Sequence, residues 1–168
     1  MDGAKGSRHG RRRDSAQAGV EFVLMFPFVL LLFLALIEFG FLMFTSITVN
    51  NAAHEAARYG AVGNPVGNSN CDSGIKERVI LVGNGIVECS EVDVKFIDID
   101  GDSQAYRGDS VVVKINHEYT TITPIAALAS AFSLGTIDTT VTISACSDAR
   151  LQAPTQEVSP DLSGTDCG

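Results

Sequence analysis

Two carboxylates in an apolar stretch are the residues of this chain most able to do chemistry. Glu21 stands at the mouth of the run and Glu38 lies inside it, between Val23 and Phe44. Ionised groups in an apolar phase are expensive, so each needs water, a cation or hydrogen-bond donors. Cys71, Cys89, Cys146 and Cys167 form a second set. None is in a C-x-x-C pair, which argues against zinc and for disulfides. A third set, Asp98, Asp100 and Asp102 in D-I-D-G-D-S, resembles the first half of a calcium loop. It lacks Gly at the sixth position and has Asp109 where Glu belongs at the twelfth, so a solvated turn between strands is expected, with no metal and no cofactor. His54 and His117 have no partner at ligand spacing, and no G-x-S-x-G elbow occurs. No enzyme is expected.

The run from Val23 to Phe44 is about 22 residues long, interrupted by Pro27 and Glu38. At about 1.5 Å per residue it covers roughly 33 Å, enough for a bilayer core. It is too long for a secretory signal core, and no Ala-x-Ala follows it, so it is expected to be retained. Glu21 at a helix start suits the helix dipole. Glu38, about six residues or ~9 Å from the outer end, either snorkels to water or meets a partner helix. Pro27 either loosens the helix or is simply tolerated there.

Charge sets the orientation. Lys5, Arg8, Arg11, Arg12 and Arg13 precede the run, and basic residues beside a span stay in the cytoplasm. Residues 1–14 hold five basic and two acidic residues of the chain's 12 and 20, leaving seven and 18 beyond them. An ectodomain so acidic excludes nucleic acid as a partner. The first 14 residues read as a disordered tail.

Beyond the span, the chain has length for one domain. I-T-V-N-N-A-A-H-E-A-A-R-Y-G continues the helix, with Ala52, Ala53, Ala56, Ala57 and Gly60 as a smooth stripe that admits a close neighbour. Glu55 and Arg58, three apart, can pair. The helix is expected over about 18–61, stopped by N-P-V-G-N. Asp72 or Ser73 caps a second helix that ends at Gly83 or Gly85. Strands follow at 92–99, 110–123 and 136–146, with a short helix opening at Pro124 and running over 124–134. The cysteines allow three pairings. Cys71–Cys89 and Cys146–Cys167 both close short loops and are favoured, the alternative leaving Cys167 free near the C-terminus. The fold class is α+β: a long N-terminal helix, then a small antiparallel β-sheet head with one or two short helices.

A basic stretch, small residues, V-E-F at Val20–Phe22, Phe26-Pro27, I-E-F-G at Ile37–Gly40 and A-A-x-E-A-A-R-Y at Ala52–Tyr59 together resemble the TadE-like pseudopilins. These are minor pilins of the tight-adherence, Flp-type branch of the type IV pilus machinery. The resemblance covers roughly residues 11–63. It implies cleavage by a prepilin peptidase between Ala16 and Gln17, which makes Glu21 and Phe22 the fifth and sixth residues of the mature chain. The family usually has Gly where this chain has Ala16. It also implies that Glu21, Phe22, Pro27 and Glu38 serve assembly.

The expected organisation is a basic cytoplasmic leader (1–16), a transmembrane and continuing helix (17–63), an extracytoplasmic β-rich head (64–150) and an irregular tail (151–168). The implied partners are other pilins, the prepilin peptidase, the inner-membrane assembly platform and the lipid bilayer. The implied location is the bacterial cytoplasmic membrane, single-pass, with passage to the cell surface on assembly. The competing reading is a single-span membrane protein whose outer domain binds a ligand or partner.

Overall fold

The computed structural model describes residues 10–131, 138–155, 161–165 and 167. Its element order is α1 (Gly10–Gly60), α2 (Gly74–Gly83), a 3-10 turn (Cys89–Glu91), β1 (Val92–Ile97), β2 (Ser110–Thr120), α3 (Ile125–Ala131) and β3 (Thr140–Arg150). The architecture is α+β, with a long apolar N-terminal helix and a three-stranded antiparallel sheet in the order β1-β2-β3. By its internal packing the chain divides into two compact units. One comprises residues 1–39 with 121–138, the other 40–120 with 139–168.

In the first unit, α1 displays its apolar side chains outward: Val23, Leu24, Phe28, Leu32, Phe33 and Leu36 are each about 60–70% exposed. Pro27 lies inside the unbroken helix. The helix begins at Gly10, so the disordered tail expected over 1–14 is helical from residue 10. Residues 1–9 lie outside the described set. The helix expected over 124–134 is α3, and its last positions, 132–134, also lie outside.

In the second unit the small-residue stripe fulfils its expected use. Val49, Ala52, Ala53, Ala56 and Ala57 are fully buried. They pack with Ile75 and Val79 of α2, Phe96 of β1, Val111, Val113 and Ile115 of β2 and Ala145 of β3 in one core. Alternation along β2 places Val111, Val113 and Ile115 on one face. The register sets Val113 beside Val94 and Ser147, and Ile115 beside Val92 and Ala145.

The C-terminal segment runs along the free edge of β1 and touches the opposite sheet face at Lys114 and Cys146. Phe96 N donates to Asp161 O at 2.8 Å, and Gly164 N to Phe96 O at 3.0 Å, so residues 161–164 lie along the free edge of β1. Lys114 Nζ donates to Thr165 Oγ1 at 3.2 Å. Lys114 pairs across with Cys146, whose disulfide to Cys167 pins this segment over the same face. The second disulfide is Cys71–Cys89. Both are the local pairings expected, and Cys167 is not free.

The start of α2 differs in one respect. Ser73 occupies the cap position, yet neither it nor Asp72 caps with its side chain. The amides a cap would satisfy are already taken: Ile75 N donates to Pro65 O at 2.9 Å and Lys76 N to Val66 O at 3.0 Å. This backbone cap requires close approach. A Cβ on Gly67 would fall 2.0 Å from Ser73 O, and one on Gly74 2.4 Å from Pro65 O, with both residues at positive φ. At the other end Asn84, in the left-handed region with φ 49°, follows Gly83.

Candidate functional site

The N-terminal part of α1 gathers four of the residues singled out from the sequence. Ala16 and Gln17 lie within the helix, without a break between them. Gln17 Nε2 donates to Glu21 Oε1 at 3.4 Å, a one-turn contact on an exposed surface. Phe22 is 66% exposed, and its ring centroid lies 5.6 Å from that of Phe26. Glu21 and Phe22 thus head an outward-facing apolar helix.

Glu38 adopts neither arrangement expected of it. Its carboxylate is buried, 8% exposed, and accepts two backbone hydrogen bonds: Oε1 from Ile122 N at 3.1 Å and Oε2 from Thr123 N at 2.9 Å. The donors belong to the connection between β2 and β3, some 84 residues on in sequence. Charge-assisted bonds of this kind are among the strongest a carboxylate makes with neutral donors. The sequence left Glu38 either snorkelling to water or meeting a partner helix, and gave no sign of a main-chain partner in the same molecule. Amides carry no side-chain signature.

The second unit holds three polar groupings. Glu55 of α1 accepts from Arg78 of α2 at 2.7 Å and from Arg58 at 3.3 Å. These guanidinium bonds, Arg78 first, hold the Glu55 carboxyl below the usual glutamate range. His54 Nδ1 lies 2.9 Å from the buried Ser147 hydroxyl, tying α1 to β3. His117 Nδ1 lies 3.0 Å from Glu91, joining β2 to the turn before β1. Beside that pair is an open hollow of about 520 Å³ walled by Glu88, Glu91, Asp93, Asn116 and Glu118. Sequence reasoning missed both the hollow and the His117–Glu91 pair. The one available signal was E-C-S-E at Glu88–Glu91, which forms a capping box.

The loop from β1 to β2 carries the acidic turn. Asp98, Asp100, Asp102 and Asp109 bring carboxylate oxygens within 4.8 Å of one another, a donor set of the hard-cation type. The loop's own amides use those oxygens. Asp98 accepts from Gly101 N at 2.7 Å and Ser103 N at 2.9 Å, and Asp102 from Gln104 N at 2.8 Å. The buried Asp109 accepts from Ile99 N at 2.9 Å and Tyr106 N at 2.8 Å. The Ser103 and Gly101 amides pull the Asp98 carboxyl below the ordinary range. At Asp100 the Asp102 amide pulls the same way, but burial and the charges of Asp102, Asp109 and Asp98 outweigh it and push the carboxyl up.

Among the described residues, α1 is the one helix long and apolar enough to cross a membrane. Neither curated proteins nor solved structures yield a match to the chain. The family model described as TadE-like protein matches residues 16–58. That interval runs from the residue before Gln17, through Glu21, Pro27 and Glu38, to Arg58 just past the buried alanines, and over it the chain is similar to the TadE-like family.

Proposed function

We propose that the protein is a pseudopilin, or minor pilin, of the tight-adherence pilus system, acting in pilus biogenesis and so in adhesion or secretion, and that it does no catalysis. One observation carries this reading: α1 joins an outward-facing apolar segment headed by Glu21 to a segment whose small residues are the core of the head. An ordinary anchor needs the first part only. In this reading the bilayer stores the subunit with its basic N-terminus in the cytoplasm and its head outside. A prepilin peptidase removes residues 1–16. The new amine at Gln17 is a charge beside an apolar phase and needs a carboxylate partner. Glu21, one turn on, supplies it to its own amine or to that of a neighbouring subunit, which fixes the register between packed helices.

Intact-mass measurement on membrane-extracted protein tests processing, with loss of residues 1–16 as the expected result. Glu21→Ala should leave insertion and disulfides intact and impair co-purification with other pilins. Normal assembly of that variant, with an uncleaved wild-type chain, would instead favour a simple single-span protein. The acidic hollow beside Glu91 and Glu118 is the feature that supports that second reading, as a binding surface on the head.

A further inference from the structure

We propose that residues 121–131, between β2 and β3, are a second membrane-contacting segment, laid against the outer end of the α1 span and held there by Glu38. The inference rests on α1 being a membrane span. Three observations carry it. The first is position. Glu38 lies six residues before Phe44, so its carboxylate starts about 9 Å inside the end of the apolar run. Ile122 N and Thr123 N are 3.1 and 2.9 Å from that carboxylate, which puts their backbone beside the apolar run. Residues 121–131 belong to the same compact unit as α1 up to Phe39.

The second is composition. From Tyr119 to Ile137 the sequence has no Asp, Glu, Lys, Arg or His, the longest such stretch outside the span itself. Ile122 is 65% exposed, and Ala127 and Ala131 are exposed as well. α1 presents surface of the same kind on either side of Glu38, where Phe33, Leu36 and Phe39 are each about 60% exposed. A lipid surface matches both, whereas water would face an uncharged apolar patch.

The third is polar satisfaction. Irregular backbone is tolerated at membrane depth only where its polar groups find protein partners. Residues 121–124 precede the helix and are irregular, and Glu38 supplies acceptors for two of their amides. Further along, Leu128 N donates to Pro124 O at 3.0 Å, and the Ser130 hydroxyl donates to Ala127 O at 2.9 Å. In this arrangement Glu38 is neither a snorkelling residue nor an intersubunit contact. It is the acceptor that lets a non-helical segment lie in the bilayer edge.

The test is nitroxide accessibility on the full chain in phosphatidylethanolamine–phosphatidylglycerol vesicles, with the native disulfides kept oxidised. Labels go at Phe33→Cys, Ile99→Cys, Ile122→Cys and Leu128→Cys, each alone. Labels at 122 and 128 should favour oxygen over a water-soluble nickel chelate. Their chelate collision rate should fall several-fold below that at 99 and approach that at 33. Chelate access at 122 and 128 equal to that at 99, with 33 in lipid, would overturn the inference and leave the span standing. A water-exposed label at 33 would remove both. Shielding of 122 and 128 from oxygen and chelate alike would mean that protein, such as a second copy, covers them, and would also overturn it. In a Glu38→Leu background the label at 122 should gain chelate access several-fold while that at 99 is unchanged. Unaltered depth at 122 would show that Glu38 does not hold the segment.

Discussion

Arg78 of α2 places a guanidinium nitrogen 2.7 Å from the Glu55 carboxylate of α1, bridging 23 residues of sequence. The bond locks the short helix to the buried-alanine part of the long one. It also gives the head a defined acid response. Glu55 titrates below its ordinary range when folded, as do Asp98, through the Ser103 and Gly101 amides, and Asp161, through the Ser163 hydroxyl and amide. A depressed carboxyl contributes stability that is complete above its unfolded pKa and is lost as pH falls through the folded one. Thermal unfolding of the detergent-solubilised chain should therefore move to lower temperature as pH drops through and below the ordinary carboxylate range. Glu55→Gln should make that slope shallower; identical slopes in the two proteins would rule out the pair as a contributor.

Asp100 works in the opposite sense. Its folded pKa is raised, so its charge opposes folding at neutral pH, and protonation relieves the strain as pH falls toward the ordinary aspartate range. Asp100→Asn keeps a side-chain oxygen and removes the charge. The variant should unfold at a higher temperature than the parent at neutral pH, with the difference vanishing in acid. A loss of stability at neutral pH would contradict the crowding of the four carboxylates.

Asp109 is the anchor of the same loop, 2% exposed and accepting from Ile99 N and Tyr106 N. Asp109→Asn must set an amide NH2 group against one of those N–H donors. The expected loss is about 1–3 kcal/mol in denaturant unfolding. Stability within a few tenths of a kcal/mol of the parent would mean that the loop amides find other acceptors.

The alanine stripe should be intolerant of bulk. Ala56 is fully buried against the sheet, so Ala56→Leu overpacks the head by about 1–3 kcal/mol or more. Leu36, 59% exposed on the same helix, should accept Leu36→Phe with no effect on head stability. Comparing the two by urea unfolding checks that α1 changes role along its length.

The disulfides should be separable. Non-reducing peptide mapping should recover Cys71–Cys89 and Cys146–Cys167 and no free thiol. Each loop closure is worth about 3 kcal/mol. Changing Cys71 or Cys89 should reduce yield more than changing Cys167, because the first pair staples the segment joining α1 to the sheet.

The sequence by itself determined the elements and their local chemistry. The apolar run, the alanine stripe, the strand alternation and the two short cysteine loops are periodic or nearest-neighbour features. Their physics depends on residues a few positions apart, so Val23–Phe44, Ala52–Ala57 and the pairs Cys71–Cys89 and Cys146–Cys167 were all legible. Tertiary structure decided where distant polar groups end. The Pro65 and Val66 carbonyls displaced Ser73 as the cap of α2, Glu91 met His117 across the edge of the sheet, and the Ile122 and Thr123 amides reached Glu38. In two of these the partner is main chain, which every residue carries alike, and in all three it is brought close by chain reversals whose geometry no local pattern encodes.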